Sequence, residues 1–231
     1  MLLGGIPIVS LDKIYLSCDE ENIIFLDCTR LDGSKSLVSR NNPDDMNSVI
    51  NQIFSISENL KKKGQFKIFL ADDVVFSGSV LRTISSLFKS YGIEVVGIKS
   101  AISTKSSYDY FNDNLLYGLS SGYLMNDDVI DQICERDFYF GIVQSGISTM
   151  KNGIVYKSPY FKPFGNPVER ASIPIDYETM FSNGCIDRSI ALWKKIEELS
   201  SKTIMISDLP ERINLTESND SIIKTLKRGR I

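Results

Sequence analysis

The sequence predicts an α/β protein whose core is a parallel sheet. From about Ile23 to Ser103, short apolar segments typical of buried strands alternate with segments whose apolar residues recur at helical spacing. This alternation favours parallel strands joined by right-handed helical crossovers. The chain has 231 residues, of which 42% are hydrophobic and 24% charged, so it is long enough for one substantial core and has an ordinary globular composition.

The first predicted elements are two strands and a polar loop. Residues 14–17 and 22–27 are rich in apolar side chains, and a turn of three acidic residues separates them. The loop 28–36 follows, and it contains several hydroxyl groups and the basic residues Arg30 and Lys35. This loop therefore has the side chains that an anion would need.

A helix, a strand and a second helix are expected next. Asn42 suits an N-cap and Pro43 suits the first helical position, and apolar residues then recur at helical spacing up to the lysines before Gly64. The apolar segment 68–71 predicts a buried strand that ends at two acidic residues. Beyond a small loop, an amphipathic helix leads to another strand at 93–98.

After Thr104 the alternation loosens, which predicts an irregular α+β C-terminal region. A short helix is expected within 125–134 and strands at 138–143 and 203–206, with a long amphipathic helix over 185–201.

A domain division follows from the same loosening of the pattern. We expect residues 1–150 to form the α/β core and residues 151–231 to form an extension packed on it. The extension begins with the segment 158–167, which contains three aromatic residues and three prolines and is expected to be an ordered loop. Its rings could cover a flat ligand, although packing on a small core is the more common role. The basic tail 224–230 suits either a partner contact or a solubilising end.

Composition excludes several functional classes. The chain has no histidine, which excludes His-ligated metals, Ser-His-Asp triads and a histidine general base. The four cysteines form no CxxC pair, so a zinc site is not expected and the cytoplasm is the expected compartment. A net charge of −3 gives no electrostatic case for nucleic-acid binding, and no apolar run is long enough to span a bilayer.

The most informative segment combines two carboxylates with a small loop. Asp72 and Asp73 follow an apolar strand and precede a Ser-Gly-Ser loop that opens a helix. Such carboxylates can accept hydrogen bonds from vicinal hydroxyls or help to hold a hydrated Mg²⁺. The N–H groups at a helix start attract phosphate, Gly78 permits close backbone approach, and Ser77 and Ser79 add hydroxyl donors. This chemistry suits a sugar phosphate.

The same segment resembles a family signature. Residues 72–78, Asp-Asp-Val-Val-Phe-Ser-Gly, resemble the phosphoribosyl-pyrophosphate (PRPP) motif of the type I phosphoribosyltransferases, and the resemblance extends over residues 67–104. It implies a Rossmann-like, parallel-sheet phosphoribosyltransferase-like core. It also implies a Mg²⁺-dependent glycosyltransferase of nucleotide metabolism that moves the phosphoribosyl group of PRPP to a nitrogenous base or another nucleophile.

The resemblance implies a role for individual residues. Asp72 and Asp73 would be the catalytic acids that bind the ribose hydroxyls and hold Mg²⁺ indirectly. Arg30 and Lys35 would meet the pyrophosphate. The loop around the 5-phosphate would consist of Val74, Val75, Phe76, Ser77, Gly78 and Ser79.

Three departures from the family pattern leave alternatives open. Val80 stands where the family often has Thr, and Phe76 stands where 6-oxopurine enzymes carry an Asp. Between the candidate pyrophosphate loop 29–35 and the acid pair, one helix and one strand are expected to fill the chain, which leaves no room for the family's flexible catalytic hairpin. A non-catalytic regulatory or complex subunit that binds PRPP or a nucleoside phosphate is therefore the alternative. A phosphatase with Asp72 as nucleophile is less favoured because the Asp-x-Asp spacing is absent.

A homodimer is the commonest assembly, and a larger assembly is also compatible.

Overall fold

The computed structural model describes residues 5–12, 22–30, 37–39, 41, 45, 47–114, 118–151, 153–215 and 220–231. The chain forms two compact units, Met1–Asp127 and Asp128–Ile231. The division therefore lies before residues 128–150, which the sequence pattern assigned to the first domain. The physical reason is that Phe138 contacts Phe181 and Phe140 contacts Phe164, so this segment contributes to the core of the second unit.

The first unit is built on a sheet with helices. Its strands are β1 (Ile8–Ser10), β2 (Ile23–Phe25), β3 (Thr29–Arg30), β4 (Leu37–Val38), β5 (Lys67–Val75), β6 (Glu94–Thr104) and β7 (Leu119–Met125). Its helices are α1 (Ser48–Lys62), α2 (Ser79–Ser90) and α3 (Lys105–Asn114). Five strands form one sheet in the order β2-β1-β5-β6-β7, and every neighbouring pair is parallel. The predicted α/β class with a parallel sheet is confirmed.

The core of this unit follows from the periodicity of its elements. Strand β5 buries Ile68 and Leu70, two residues apart, on one face of the sheet. The helices contribute apolar residues three or four positions apart, such as Ile84 and Phe88 in α2. Buried residues from β1 to β7 then form one hydrophobic cluster. The predicted strand at 14–17 and the helix start at Asn42 lie outside the described residues.

Two expectations about the first unit are wrong. Strand β5 continues two residues beyond the acid pair, since Val74 pairs with Ile102 of β6. The sheet also continues after Thr104, because β6 leads through α3 into β7. Strands β3 and β4 pair in antiparallel fashion around the candidate pyrophosphate loop. The expected helix and strand, α1 and β5, follow them before the acid pair.

The second unit has its own elements and its own core. They are α4 (Val129–Gln132), β8 (Ile147–Lys151), β9 (Ile154–Ser158), α5 (Pro167–Ala171), α6 (Glu178–Ser200) and α7 (Ile222–Arg228). Strands β8 and β9 form an antiparallel pair. The long helix α6 extends further toward the N-terminus than expected. None of the helices among the described residues is both long and apolar enough to cross a membrane.

The two strands predicted at 138–143 and 203–206 do not form. A 3₁₀ turn at Arg136–Phe138 and a further turn stand where a strand was predicted. Helix α6 holds this segment, because Ser189 Oγ accepts the N–H of Phe140 and Trp193 Nε1 donates to its carbonyl at 2.7 Å. Near the C-terminus, Met205 makes only an isolated bridge before another 3₁₀ turn.

The segment 158–167 belongs to this aromatic core. Phe161 is fully buried, and its ring packs edge-on against Phe164 with 5.9 Å between centroids. The ring of Tyr160 packs in the same way against Phe138. The segment therefore has the core-packing role that was expected to be the more common one.

Candidate functional site

The order of the strands directs attention to the carboxyl ends of β1 and β5. From β1 the chain moves to one side of the sheet to form β2, and it then returns to form β5 on the other side of β1. In open parallel sheets, ligands bind at such a reversal, outside the carboxyl ends of the strands. The two strands are in register there, since the N–H of Leu11 donates to the carbonyl of Ala71 at 2.8 Å.

This edge of the sheet carries carboxylates that follow both strands. Asp72 and Asp73 lie in the last part of β5, and Asp12 follows β1 with only 4% of its surface exposed. The backbone N–H of Asp12 donates to Ser10 Oγ at 3.2 Å, which closes the turn after β1. Sequence reasoning missed Asp12, although its position directly after an apolar segment is the same signal that identified the acid pair.

The acid pair has a defined local geometry. Asp72 Oδ1 accepts the N–H of Asp73 at 3.1 Å, and Asp73 Oδ1 accepts the N–H of Val74 at 2.7 Å. Each carboxylate therefore turns toward the next residue along the strand. Because consecutive strand residues project from opposite faces, the two carboxylates do not form one bidentate site. They can instead contact different oxygens of a ligand placed at the end of the strand.

Mg²⁺ is compatible with this site only in an indirect way. Carboxylate oxygens are the ligands that Mg²⁺ prefers, and it usually keeps several waters. Among the described residues, no group of three or more His, Cys, Asp or Glu side chains could hold a metal ion. Asp72 and Asp73 alone could supply at most two of the oxygen ligands of a hydrated Mg²⁺ ion.

A three-residue loop, Phe76–Gly78, connects β5 to α2. Gly78 is buried and has a φ of +65°, a conformation that favours glycine. A side chain there would also collide with the ring of Phe111, since an ideal Cβ would lie 2.2 Å from its Cε2 atom. Within the described part of the chain, the N–H groups of Ser77 and Gly78 have no hydrogen-bond acceptor. Gly78 is the buried one of the two, and a buried backbone donor without an acceptor is rare, which marks the loop as a candidate anion site.

The side chains of the predicted phosphate loop differ in what they can contact. Ser77 is exposed, and its hydroxyl lies 3.3 Å from that of Ser79, so the two can act together on a ligand. The side chain of Val75 is 2% exposed and belongs to the hydrophobic core, which leaves only its backbone for a ligand. Val80 is half-buried in the first turn of α2.

The β3–β4 hairpin contains the predicted pyrophosphate residues. Arg30 is the last residue of β3 and pairs with Leu37, whereas Lys35 lies outside the described residues. A buried carboxylate just before the hairpin holds the chain that follows it. Asp27 accepts hydrogen bonds from Ser39 Oγ and from Asn41 Nδ2, the latter at 2.8 Å.

Asp27 also connects the hairpin to α1. The backbone N–H and carbonyl of Asp27 bond the side-chain amide of Gln52, both at 3.0 Å. This network was not predicted, because its members are separated by up to 25 positions in the sequence.

Cysteine does not offer a nucleophile in the second unit's core. Burial raises the pKa of the Cys185 thiol far above its usual range, so the reactive thiolate is disfavoured.

No protein-family model, curated protein or solved structure matches this chain.

Proposed function

We propose that this protein binds PRPP and transfers its phosphoribosyl group to a nitrogenous base or another nucleophile. The observation that carries the proposal is the sequence of features along one strand–loop–helix unit. Asp72 and Asp73 lie at the end of β5, and the N–H donors of Ser77 and Gly78 have no acceptor among the described residues. A sugar phosphate has hydroxyls for the carboxylates and a phosphate for the loop.

Each part of the ligand matches a different chemical group. The ribose hydroxyls donate to the two carboxylates, while the phosphate accepts from the loop N–H groups and from the hydroxyls of Ser77 and Ser79. The start of α2, a helix of 12 residues, adds the positive end of its dipole. The donor is thereby held at both ends of its ribose, which is the positioning that transfer requires.

The reaction requires stabilisation of charge more than covalent chemistry. Loss of pyrophosphate from the anomeric carbon gives the sugar oxocarbenium character, and the carboxylates of Asp72 and Asp73 stabilise that positive charge by their proximity. Mg²⁺, when bound with PRPP, neutralises part of the charge of the pyrophosphate. Arg30 and Lys35 remain our candidates for the rest of that charge.

The β3–β4 hairpin bears on pyrophosphate binding. Arg30 ends β3, and Asp27 and Gln52 connect the base of the hairpin to the sheet edge and to α1. Between β4 and the acid pair, the elements of the described chain are the single helix α1 and the strand β5. All three departures from the family pattern therefore still apply.

A second candidate function is a regulatory or complex subunit that binds PRPP or a nucleoside phosphate without turning it over. The observation in its favour is Val80, an apolar residue in the first turn of α2 where a phosphate-binding hydroxyl is common in the family. The two candidates share the binding site and differ only in turnover.

Calorimetric titration with PRPP, with and without Mg²⁺, tests the proposal. We expect binding that needs Mg²⁺ and that weakens at least about tenfold in Asp72→Asn/Asp73→Asn, because hydrogen bonds to charged groups are lost. The matched control is Asp109→Asn/Asp113→Asn, which changes the charge equally at two exposed positions of α3.

The outcomes separate the two candidates. Release of pyrophosphate in the presence of one of a panel of bases would support the transferase. Binding without turnover for the whole panel would favour the regulatory subunit. A folded protein that binds no PRPP in any condition would contradict both.

A further inference from the structure

The loop Phe76–Gly78 is held by side chains from outside it. Three consecutive backbone carbonyls each accept one side-chain hydrogen bond. The pairs are Ser107 Oγ with the Val75 carbonyl at 3.1 Å, Thr104 Oγ1 with the Phe76 carbonyl at 2.9 Å, and Arg82 Nη1 with the Ser77 carbonyl at 2.7 Å. Each of the three carbonyls therefore already has a donor within the protein.

These bonds determine where the neighbouring N–H groups point. In a trans peptide, the carbonyl of one residue and the N–H of the next point in opposite directions. The only cis peptide among the described residues is Lys162–Pro163, so the loop peptides are trans. Thr104, by holding the Phe76 carbonyl, orients the N–H of Ser77. Arg82, by holding the Ser77 carbonyl, orients the N–H of Gly78.

The side chains that hold the carbonyls are themselves fixed. Thr104 and Ser107 are both buried, and their hydroxyl oxygens lie 3.0 Å apart. The guanidinium of Arg82 lies over the ring of Tyr110, with 5.0 Å between its carbon and the ring centroid. Phe111 packs against Gly78 from the same helix, α3. The crossover that follows β6 thus supports the loop that follows β5.

We propose that Thr104 and Arg82 are positioning residues that aim the N–H groups of Ser77 and Gly78 at a phosphate monoester. This inference rests on the proposed function and assigns that phosphate to the 5-phosphate of the ribose donor. If either peptide rotated, a carbonyl oxygen would face the phosphate in place of an N–H donor and would repel it. Holding the carbonyls removes that alternative before the ligand arrives.

The substitution Thr104→Val tests the inference, because it keeps the shape and charge of the side chain and removes the donor. We expect the affinity for ribose 5-phosphate to fall about fivefold to tenfold, the usual effect of one hydrogen bond. The matched control is Thr83→Val. Thr83 Oγ1 also donates to a backbone carbonyl, that of Ser79 at 3.1 Å, but on the exposed surface of α2. We expect this variant to bind as the wild type does.

Amide NMR provides a readout that a purely structural role would not change. In the wild type, ribose 5-phosphate should shift the ¹H–¹⁵N signals of Ser77 and Gly78. In Thr104→Val the shift of Ser77 should be clearly smaller at saturating ligand, and Thr104→Ser, which keeps a hydroxyl, should restore it.

Arg82→Gln provides a second test if Thr104→Val does not fold. Its control is Lys89→Gln, which removes the same charge at the exposed end of α2. We expect Arg82→Gln to weaken ribose 5-phosphate binding at least about fivefold more than Lys89→Gln, because only Arg82 holds a loop carbonyl.

The outcomes distinguish this inference from the proposed function. A folded Thr104→Val, or Arg82→Gln in its place, that binds ribose 5-phosphate as tightly as its control overturns the positioning role and leaves the sugar-phosphate site in place. A wild-type protein that binds neither ribose 5-phosphate nor PRPP overturns both.

Discussion

The loop Phe76–Gly78 and the aromatic segment 158–167 use their backbones in opposite ways. In the aromatic segment, the backbone N–H groups of Lys162, Phe164 and Gly165 have internal acceptors. The N–H of Lys162 donates to Ser182 Oγ at 3.1 Å, and that of Gly165 donates to the Phe161 carbonyl at 2.8 Å. In the loop after β5 it is the carbonyls that have partners, while two N–H donors have none among the described residues.

The difference in hydrogen bonding indicates a packing role for the aromatic segment and a ligand-binding role for the loop after β5. Internal acceptors for backbone donors are typical of a segment that contributes to packing, and Phe161 of the aromatic segment is fully buried. A segment whose carbonyls are held and whose donors point outward is prepared for an anion. The presence of a tightly packed glycine does not distinguish the two loops, since each contains one at a position where a side chain would collide with a neighbour.

The largest expected effect lies in the aromatic segment. In Gly165→Ala the new Cβ would lie 1.7 Å from the Pro159 carbonyl oxygen, which belongs to the backbone and cannot move aside easily. We expect the second unit to lose about 3 kcal/mol or more of its free energy of unfolding. Urea unfolding followed by fluorescence measures this, because Trp193 is the only tryptophan and is buried in this unit.

Gly153→Ala is the matched control for that measurement. Gly153 also lies in the second unit and nothing lies within 4 Å of its Cβ position, but its φ of +75° makes an alanine there strained. This variant therefore measures the cost of backbone conformation without close approach. Gly165 has no positive φ, so a loss in Gly165→Ala no larger than that in Gly153→Ala would contradict a severe collision with the Pro159 carbonyl.

A smaller effect is expected at Gly78, where the obstacle is a side chain. Gly78→Ala introduces a residue at a φ of +65° and pushes against the Phe111 ring, so we expect a loss of about 2–4 kcal/mol in the first unit. Ribose 5-phosphate binding should be lost as well. Circular dichroism in urea and calorimetry would measure the two effects.

Combining Gly78→Ala with Phe111→Leu would sharpen this result. The smaller side chain relieves the collision, so part of the stability should return relative to the sum of the two single variants. Strict additivity of the two substitutions would mean that the collision with Phe111 is not the cause.

Ser182→Ala tests whether donors in the aromatic segment serve structure alone. It removes the acceptor of the Lys162 N–H at a fully buried position, and we expect a loss of about 1–2 kcal/mol. PRPP binding should be unchanged, in contrast to Thr104→Val. Ser200→Ala at the exposed end of α6 is the control, and a change in PRPP affinity in Ser182→Ala would contradict the distinction between the two loops.

The smallest effect is expected at Asp220, whose two ion-pair partners in the second unit have exposed side chains. Lys224 and Arg228 lower the pKa of this carboxyl below its ordinary value of 3.8. A lowered pKa in the folded state means that the contribution to stability is complete above the unfolded pKa and is lost as the pH falls through the folded one. The melting temperature of Asp220→Asn should therefore lie slightly below that of the wild type near neutral pH, and the difference should vanish in strong acid. A difference independent of pH would exclude the ion pairs as its cause.

Elements whose signals are local could be predicted from the sequence. The apolar segment before Asp72, the small loop with Gly78 and the helical periodicity of α2 all lie within a few residues of one another, and all three appear in the structure. Composition alone also limited the chemistry, since a chain without histidine must use other groups. Local patterns suffice here because strand and helix periodicity depend on residues two to four positions apart.

The surroundings of the site depend on contacts between distant parts of the chain and could not be predicted. The β3–β4 hairpin has two residues in each strand, too few for a periodic signal. The supporting hydroxyls of Thr104 and Ser107 lie 28 and 32 positions from the carbonyls that they hold, and Asp12 comes near β5 only because β1 is its neighbour. Such contacts depend on the order of strands in the sheet, and that order is set by how the whole core packs, a property that no short stretch of sequence contains.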